Sequence, residues 1–311
     1  MSLATLPPHI VAVAHRIVHG GEQREPARID DELEARLRDL VEVAPLHNGP
    51  AVAAIERVRR ELPDVPHVAV FDTAFHATIP QKAATYALPE EWRRDVRRYG
   101  FHGLSVQWAS ERVDVPRLVV CHLGGGCSVT AVRDGRSVDT TMGFTPLDGV
   151  PMATRPGSLD PGALLYLLRR GVTLDELDDA IEHRCGLLAL SGSSGDVAEL
   201  EQSEDPAAGF ALQVFAYRVA AAVGAMSVAL GGIDALVFTA GIGEHSARVR
   251  REICAHLSFL GVEIDEARNG DADPDADVEA PSSRVRVVVV GAREEVVAAR
   301  AARALLGESL R

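Results

Sequence analysis

Apolar residues in this chain fall into short β-branched runs, separated by stretches with a helical three-to-four-residue period. The runs at 9–18 (HIVAVAHRIV), 67–71 (HVAVF), 118–121, 128–132, 137–140, 234–239 (DALVFT) and 285–290 (VRVVVV) predict strands. Residues 30–43 have helical spacing, with Leu33, Leu37 and Leu40 on one face. Residues 45–48 read as a turn into a second helix over 50–62, with a proline in its first turn. Further helices are expected over 161–170, 174–183, 197–202, 205–230, from Ser246 onward, and over 293–306. Strand–helix alternation with one antiparallel hairpin predicts the α/β class with mixed sheets.

That hairpin, 118–132 (LVVCHLGGGCSVTAV), is where candidate chemistry begins. Gly124, Gly125 and Gly126 permit a tight reversal and leave backbone N–H groups unshielded. Such a turn suits phosphate oxygens, and it equally suits a plain hairpin. A second glycine-rich turn, 240–245 (AGIGEH), follows a strand and precedes a helix. Strand, glycine turn and helix N-terminus form an arrangement that accepts a nucleotide. Asp72 closes the strand 67–71, as a catalytic carboxylate or a helix cap. Arg16 lies in the first run, as an anion ligand or an ion-paired edge residue. His102 lies in the loop 97–103. Arg155 lies in the long loop 143–161, a length usually reserved for function. Glu294 and Glu295 open the last helix, either for its dipole or for a metal.

Composition narrows the classes. An apolar fraction of 47% supports real cores, and 311 residues suit two moderate domains. A net charge of −13 without a basic block argues against a nucleic-acid partner. Cys121, Cys127, Cys185 and Cys254 are scattered, which favours reduced thiols in the cytoplasm over a zinc or disulfide framework. Residues 1–8 carry no signal-peptide pattern, and 210–230 includes Gln213 and Arg218, as a core helix rather than a membrane span would. The stretch 269–277 (NGDADPDAD) reads as an acidic surface loop.

Eight ordered strings resemble the acetate kinase (acetate/propionate kinase) family of the actin, hsp70 and sugar-kinase fold group. They are HRIVHGG at 15–21, APLHN at 44–48, FDTAFH at 71–76, RYGFHG at 98–103, CHLGGGCS at 121–128, SVDTTMGFTPLDG at 137–149, GLLALSG at 186–192 and FTAGIGE at 238–244. The resemblance implies a two-domain actin-like ATPase (ribonuclease H-like) fold with mixed sheets. One domain would comprise 1–74 plus 293–311, and a second, nucleotide-binding and dimer-forming, 75–292. It also implies ATP, acetate and Mg²⁺ as ligands, and reversible in-line transfer that makes acetyl phosphate and ADP. By the same resemblance Arg16, Asp72, His102 and Arg155 are catalytic, and Glu294 is metal-associated. Val18, Leu46, Phe101 and Pro146 would surround the methyl group of acetate. His122, Leu123, Gly124, Gly125, Gly126, Asp196, Gly241, Ile242, Gly243, Glu244 and His245 would bind ATP. Two guanidiniums, the histidine and magnesium would supply cationic charge around the transferring phosphoryl group.

The family pattern also includes an N-terminal strand–turn–strand with an Asn-Gly-Ser-Ser-Ser string, which does not occur in 1–8, so the first domain is expected to be short of it. Gly125, Val106, Ala198, His245 and Arg293 stand where the family has other residues. An active enzyme and a nucleotide-binding remnant or truncated gene product are both open at this point. A homodimer through the second domain, with 205–230 supplying apolar surface, is expected.

Overall fold

β-branched residues take extended backbone where both faces can be covered, and the chain does this twice. The computed structural model describes residues 9–42 and 44–307, apart from the side chains of Pro45 and Leu46. A small sheet has the order β1 (Val13–Ile17), β3 (His67–Phe71), β2 (Ala27–Arg28), with β1 and β3 parallel. A larger sheet combines β4 (Arg117–Leu123), β5 (Cys127–Arg133), β6 (Arg136–Thr140), β7 (Ala235–Thr239), β8 (Ala276–Asp277) and β9 (Arg286–Val289) in the order β6-β5-β4-β7-β9-β8. Here β4, β7 and β9 are parallel, and the β4–β5 hairpin is antiparallel. The sheets are therefore mixed, as the alternation predicts.

The helices that matter for the site are α1 (Asp31–Asp39), α2 (Pro45–Glu61), α3 (Gly103–Arg112), α4 (Pro161–Arg169), α5 (Val197–Gln202), α6 (Pro206–Leu230), α7 (Ala240–His245), α8 (Ala247–His256) and α9 (Glu294–Leu306). Asp30 caps α1, Asp196 caps α5 and Asp205 caps α6, each side chain accepting a first-turn N–H. Gly231, at φ 70°, ends α6 in the left-handed conformation that glycine takes without a Cβ clash. α6 is long and apolar enough to span a membrane by composition alone, and half of its apolar window is buried against the larger sheet. It is a core helix.

Several elements differ from the sequence pattern. Residues 45–48 form the first turn of α2, because Pro45 sits where a helix needs no N–H donor. Residues 240–245 are a short helix of their own, entered through Ala240 at φ 65°. The stretch 174–183 is helical only over Leu174–Asp179 before a π-turn takes over. Within 269–277, Asn269 is buried and bonded to Arg250.

One core cluster joins the two sheets. Val68 and Val70 of β3 and Leu118 and Val120 of β4 meet Leu104, Val106 and Trp108 of α3 and Val297 of α9. α3 and α9 therefore form a layer between the sheets. The chemistry collects at one end of that layer, where β3, β4 and β7 stop.

Candidate active site

β4 and β7 run side by side and finish together, with His122 opposite Thr239. Both glycine turns leave from these neighbouring strand ends. A Cβ placed on Gly124 would stand 3.6 Å from the Ala240 methyl, so the two turns adjoin. Between them opens a cavity of about 360 Å³, lined by Gly124, Gly125, Asp196, Gly241, Ile242 and His245 among others. Six of the eleven expected nucleotide residues thus face one space.

The other five do not line it. Leu123 is fully buried in the core beneath the sheet, because alternation along β4 turns it inward. Gly243 is buried against Phe238 and gives its carbonyl to Arg250 at 3.0 Å. The Glu244 carboxylate accepts the Ala292 N–H at 2.9 Å instead of facing the cavity. Gly126 and His122 sit on the far side of the turn, toward the charged cluster. Gly195, Val197 and Ala198, neighbours of the expected Asp196, complete the lining together with Ala153, Glu201 and Ser246, which the sequence did not single out. Small or common residue types in a loop carry no signal of their own.

The charged cluster begins at the end of β3. Asp72 is fully buried, and its backbone N–H bonds Ile17 of β1. A Cβ on Gly103 would stand 1.9 Å from the Asp72 carbonyl oxygen, so only glycine lets α3 start there. That close approach delivers His102, at φ 57°, beside the end of β3. Arg16 donates from Nε and Nη2 to Asp72, the shortest bond being 2.8 Å, and from Nη1 to Glu294 Oε2 at 2.6 Å. Arg16 is thus ion-paired and still over a third exposed. A guanidinium has five N–H donors. Three are engaged here, which leaves two for another anion.

Arg155 is different. The residue is 7% exposed and its guanidinium makes no ion pair among the described residues, its Nη1 donating only to the Pro146 carbonyl at 3.0 Å. A Cβ on Gly126 would lie 2.9 Å from Arg155 Nη2 and 3.3 Å from His102 Nε2. A nearly buried cation beside a glycine turn carries a desolvation cost that no ion pair among the described residues offsets.

His102 stacks on His122, with centroids 4.0 Å apart and planes at 19°. Burial, then the neighbouring His122, Arg16 and Arg155, pulls the proton affinity of His102 well below the ordinary histidine value. Burial and Arg16 lower His122 to about 3. The expected cationic histidine is therefore corrected. In a low-dielectric pocket beside two guanidiniums the ring stays neutral and offers an N–H donor, not a charge. His47, in the first turn of α2, faces the same charges and is lowered by burial, Arg155 and Arg16. It escaped the sequence reading because its string was taken as a turn.

Of the apolar set, Val18 is half-buried against the core and Pro146 is buried. Phe101 is fully enclosed and packs edge-on against His19 at 5.4 Å. It can only back a pocket, because no solvent-sized probe reaches it. The Leu46 side chain lies outside the described residues.

Glycine turns, a cavity between them and the neighbouring guanidiniums of Arg16 and Arg155 fit an α/β protein that handles phosphates. Comparison with known sequences makes the class specific. Residues 3–300 match the Acetokinase family. The chain is 44% identical to the acetate kinase of a Synechococcus species, covering 98% of this chain and 79% of that one. It is 46% identical to the acetate kinase of Heliobacterium modesticaldum, with 94% and 77% covered. Among solved structures, a propionate kinase from Francisella tularensis superposes with TM-score 0.90 at 36% identity, over 94% of this chain and 79% of that one. The acetate kinase of Porphyromonas gingivalis gives 0.88 at 35%, over 96% and 78%. The chain belongs to the acetokinase family.

Proposed function

We propose that this protein transfers the γ-phosphoryl group of ATP to acetate, reversibly, giving acetyl phosphate and ADP. The observation that carries the reading is Arg155, a nearly buried, unpaired cation beside the Gly124–Gly126 turn and His102. Family membership and the kinases named above support it.

An acetate oxygen attacks the γ-phosphorus and forms the new P–O bond. The bond to the β-phosphate oxygen breaks and ADP takes the electron pair. A carboxylate is already ionised, so no general base is needed. Arg155 and the two free donors of Arg16 bind the phosphoryl oxygens. Neutral His102 donates from Nε2 to the same group, and Asp72 holds Arg16 in place. Val18 and Pro146, backed by Phe101, exclude water and bulk from the methyl end. One methylene changes such discrimination by only about 1–3 kcal/mol, so propionate is expected as a slower substrate.

Magnesium fits the residues present. Glu294 Oε1 is buried without a hydrogen-bond partner, and Asp72 belongs to the same ion-pair group. Among the described residues no three ligating side chains cluster, but Mg²⁺ bound through phosphates and water needs only one or two carboxylates. Bound there, it would neutralise charge on the nucleotide phosphates. We further assign 1–74 with 293–311 to one lobe and 75–292 to the other, and place the enzyme in the cytoplasm as a homodimer.

The test is formation of acetyl phosphate from ATP, Mg²⁺ and acetate, trapped as the hydroxamate. Arg155→Ala should lose about 100-fold or more in kcat, the scale of removing one oxyanion donor. Wild-type turnover no higher than that of Arg155→Ala would reject the proposal.

A further inference from the structure

Ser105 and Ser128 lie behind the stacked imidazoles, and no role is assigned to either hydroxyl above. Ser128 Oγ is 2.9 Å from His102 Nδ1, and Ser105 Oγ is 2.8 Å from His122 Nδ1. Both serines are fully buried, and neither hydroxyl has a second hydrogen-bond partner among the described residues. The opposite ring atoms face the glycine turn. His102 Nε2 stands 3.3 Å from where a Cβ on Gly126 would be, and His122 Nε2 stands 4.0 Å from that point on Gly124.

We propose that Ser128 and Ser105 are positioning residues that hold His102 and His122 in the Nε2–H tautomer, so that both rings present N–H donors to the Gly124–Gly126 turn. A serine hydroxyl has one proton to give. Were Nδ1–H to donate to Oγ, that hydroxyl proton would have no acceptor among the described residues. With the hydroxyl donating to the Nδ1 lone pair, both the serine proton and that lone pair are satisfied. The ring proton then sits on Nε2. Two imidazoles stacked at 4.0 Å between guanidiniums cannot both carry charge without strong repulsion. The opposite tautomer would aim a lone pair at the turn and repel a phosphate oxygen. The paired serines therefore convert two neutral rings into two donors on the same side.

What occupies the turn rests on the kinase reading, but the proton placement does not. In the full chain labelled with ¹⁵N-histidine, long-range ¹H–¹⁵N correlation at pH 7.5 should report Nε2 as protonated and Nδ1 as bare for both rings. In Ser128→Ala the His102 signals should move toward a tautomer mixture. With ATP, Mg²⁺ and acetate, kcat should fall about 10–100-fold while KM for acetate stays within about threefold. Protons on Nδ1 in the wild type would overturn the proposal, whether or not a variant folds. So would a Ser128→Ala protein with unchanged His102 signals or unchanged kcat. A wild type that forms no acetyl phosphate would sink the kinase reading alone, and its spectrum would still decide the tautomer.

Discussion

At the scale of single residues the site depends on where a Cβ is missing. Gly125 and Gly126 are adjacent, and neither holds a left-handed φ, so backbone strain does not separate them. Their surroundings do. A Cβ on Gly125 would meet nothing within 4 Å, whereas one on Gly126 would press on Arg155 Nη2 at 2.9 Å. The far end of an arginine can swing away, so Gly126→Ala should fold with a melting temperature within a few degrees of wild type. The displaced guanidinium then no longer meets the phosphoryl group. Misplacement of about 1 Å costs on the order of 100-fold in rate, and that loss is expected in kcat for Gly126→Ala. Gly125→Ala leaves Arg155 in place, so its kcat should stay nearer wild type, while a methyl added to the cavity lining should raise KM for ATP. Steady-state kinetics on the two variants check this, and equal activities would remove the steric argument.

At the scale of elements, α4 is the outlier. Its sequence PGALLYLLR buries no residue, and Leu165, Tyr166, Leu167 and Leu168 are 50%, 60%, 39% and 37% exposed. An apolar helix face of this size on a monomer marks an interface. α6, expected to supply the dimer surface, instead spends most of its apolar residues on the core and leaves Phe210, Tyr217 and Val228 outside. For the homodimer proposed above, a Leu165→Glu, Leu168→Glu double variant should therefore yield monomer in light scattering, with the fold retained by circular dichroism. A dimer that survives both changes would place the interface elsewhere. The same contrast explains what was legible beforehand. Strands β3, β4, β7 and β9 and helix α5 were readable because burial imposes an apolar pattern that the sequence carries locally. The meeting of Arg16, Asp72 and Arg155 near the Gly124–Gly126 turn was implied by the family resemblance, while the local sequence left Arg16 and Asp72 each with a structural alternative. Ser105, Ser128 and His47 were not readable. Their partners lie on other elements, 17 and 26 residues away for the two serines, and nothing local marks the pairing. Leu123 and Gly243 misled for the converse reason, since they share a string with the site while their environments point into the core.

At the scale of the whole molecule, the buried histidines set the response to acid. Burial lowers His15, His19 and His76 to about 4 and His122 to about 3, and His102 falls well below its ordinary value. All five are neutral when folded, and each takes up a proton near pH 6.5 once unfolded. Between pH 6.5 and about 4 the unfolded chain therefore binds more protons than the folded one. Stability should be full above pH 6.5 and fall as pH drops through that window. Each histidine adds at most about 1.4 kcal/mol per pH unit to the slope. Asp139, Glu182 and Glu294 oppose it, since burial raises their folded values and favours the protonated folded form. With His47, also lowered by burial, three carboxyls against six imidazoles leave the histidines dominant, and most clearly at pH 5–6.5, above the ordinary carboxylate range. The melting temperature should thus decline steadily from pH 6.5 to 5. His76 is the sharpest single contributor to test, because its Nδ1 and Nε2 already bond Ser137 Oγ and the Phe101 carbonyl, each at 2.8 Å. A His76→Gln variant should be less stable at pH 7.5 yet lose less on acidification, by up to one proton's worth of slope. A melting temperature that is flat across this range in wild type would mean that the buried rings accept protons in place.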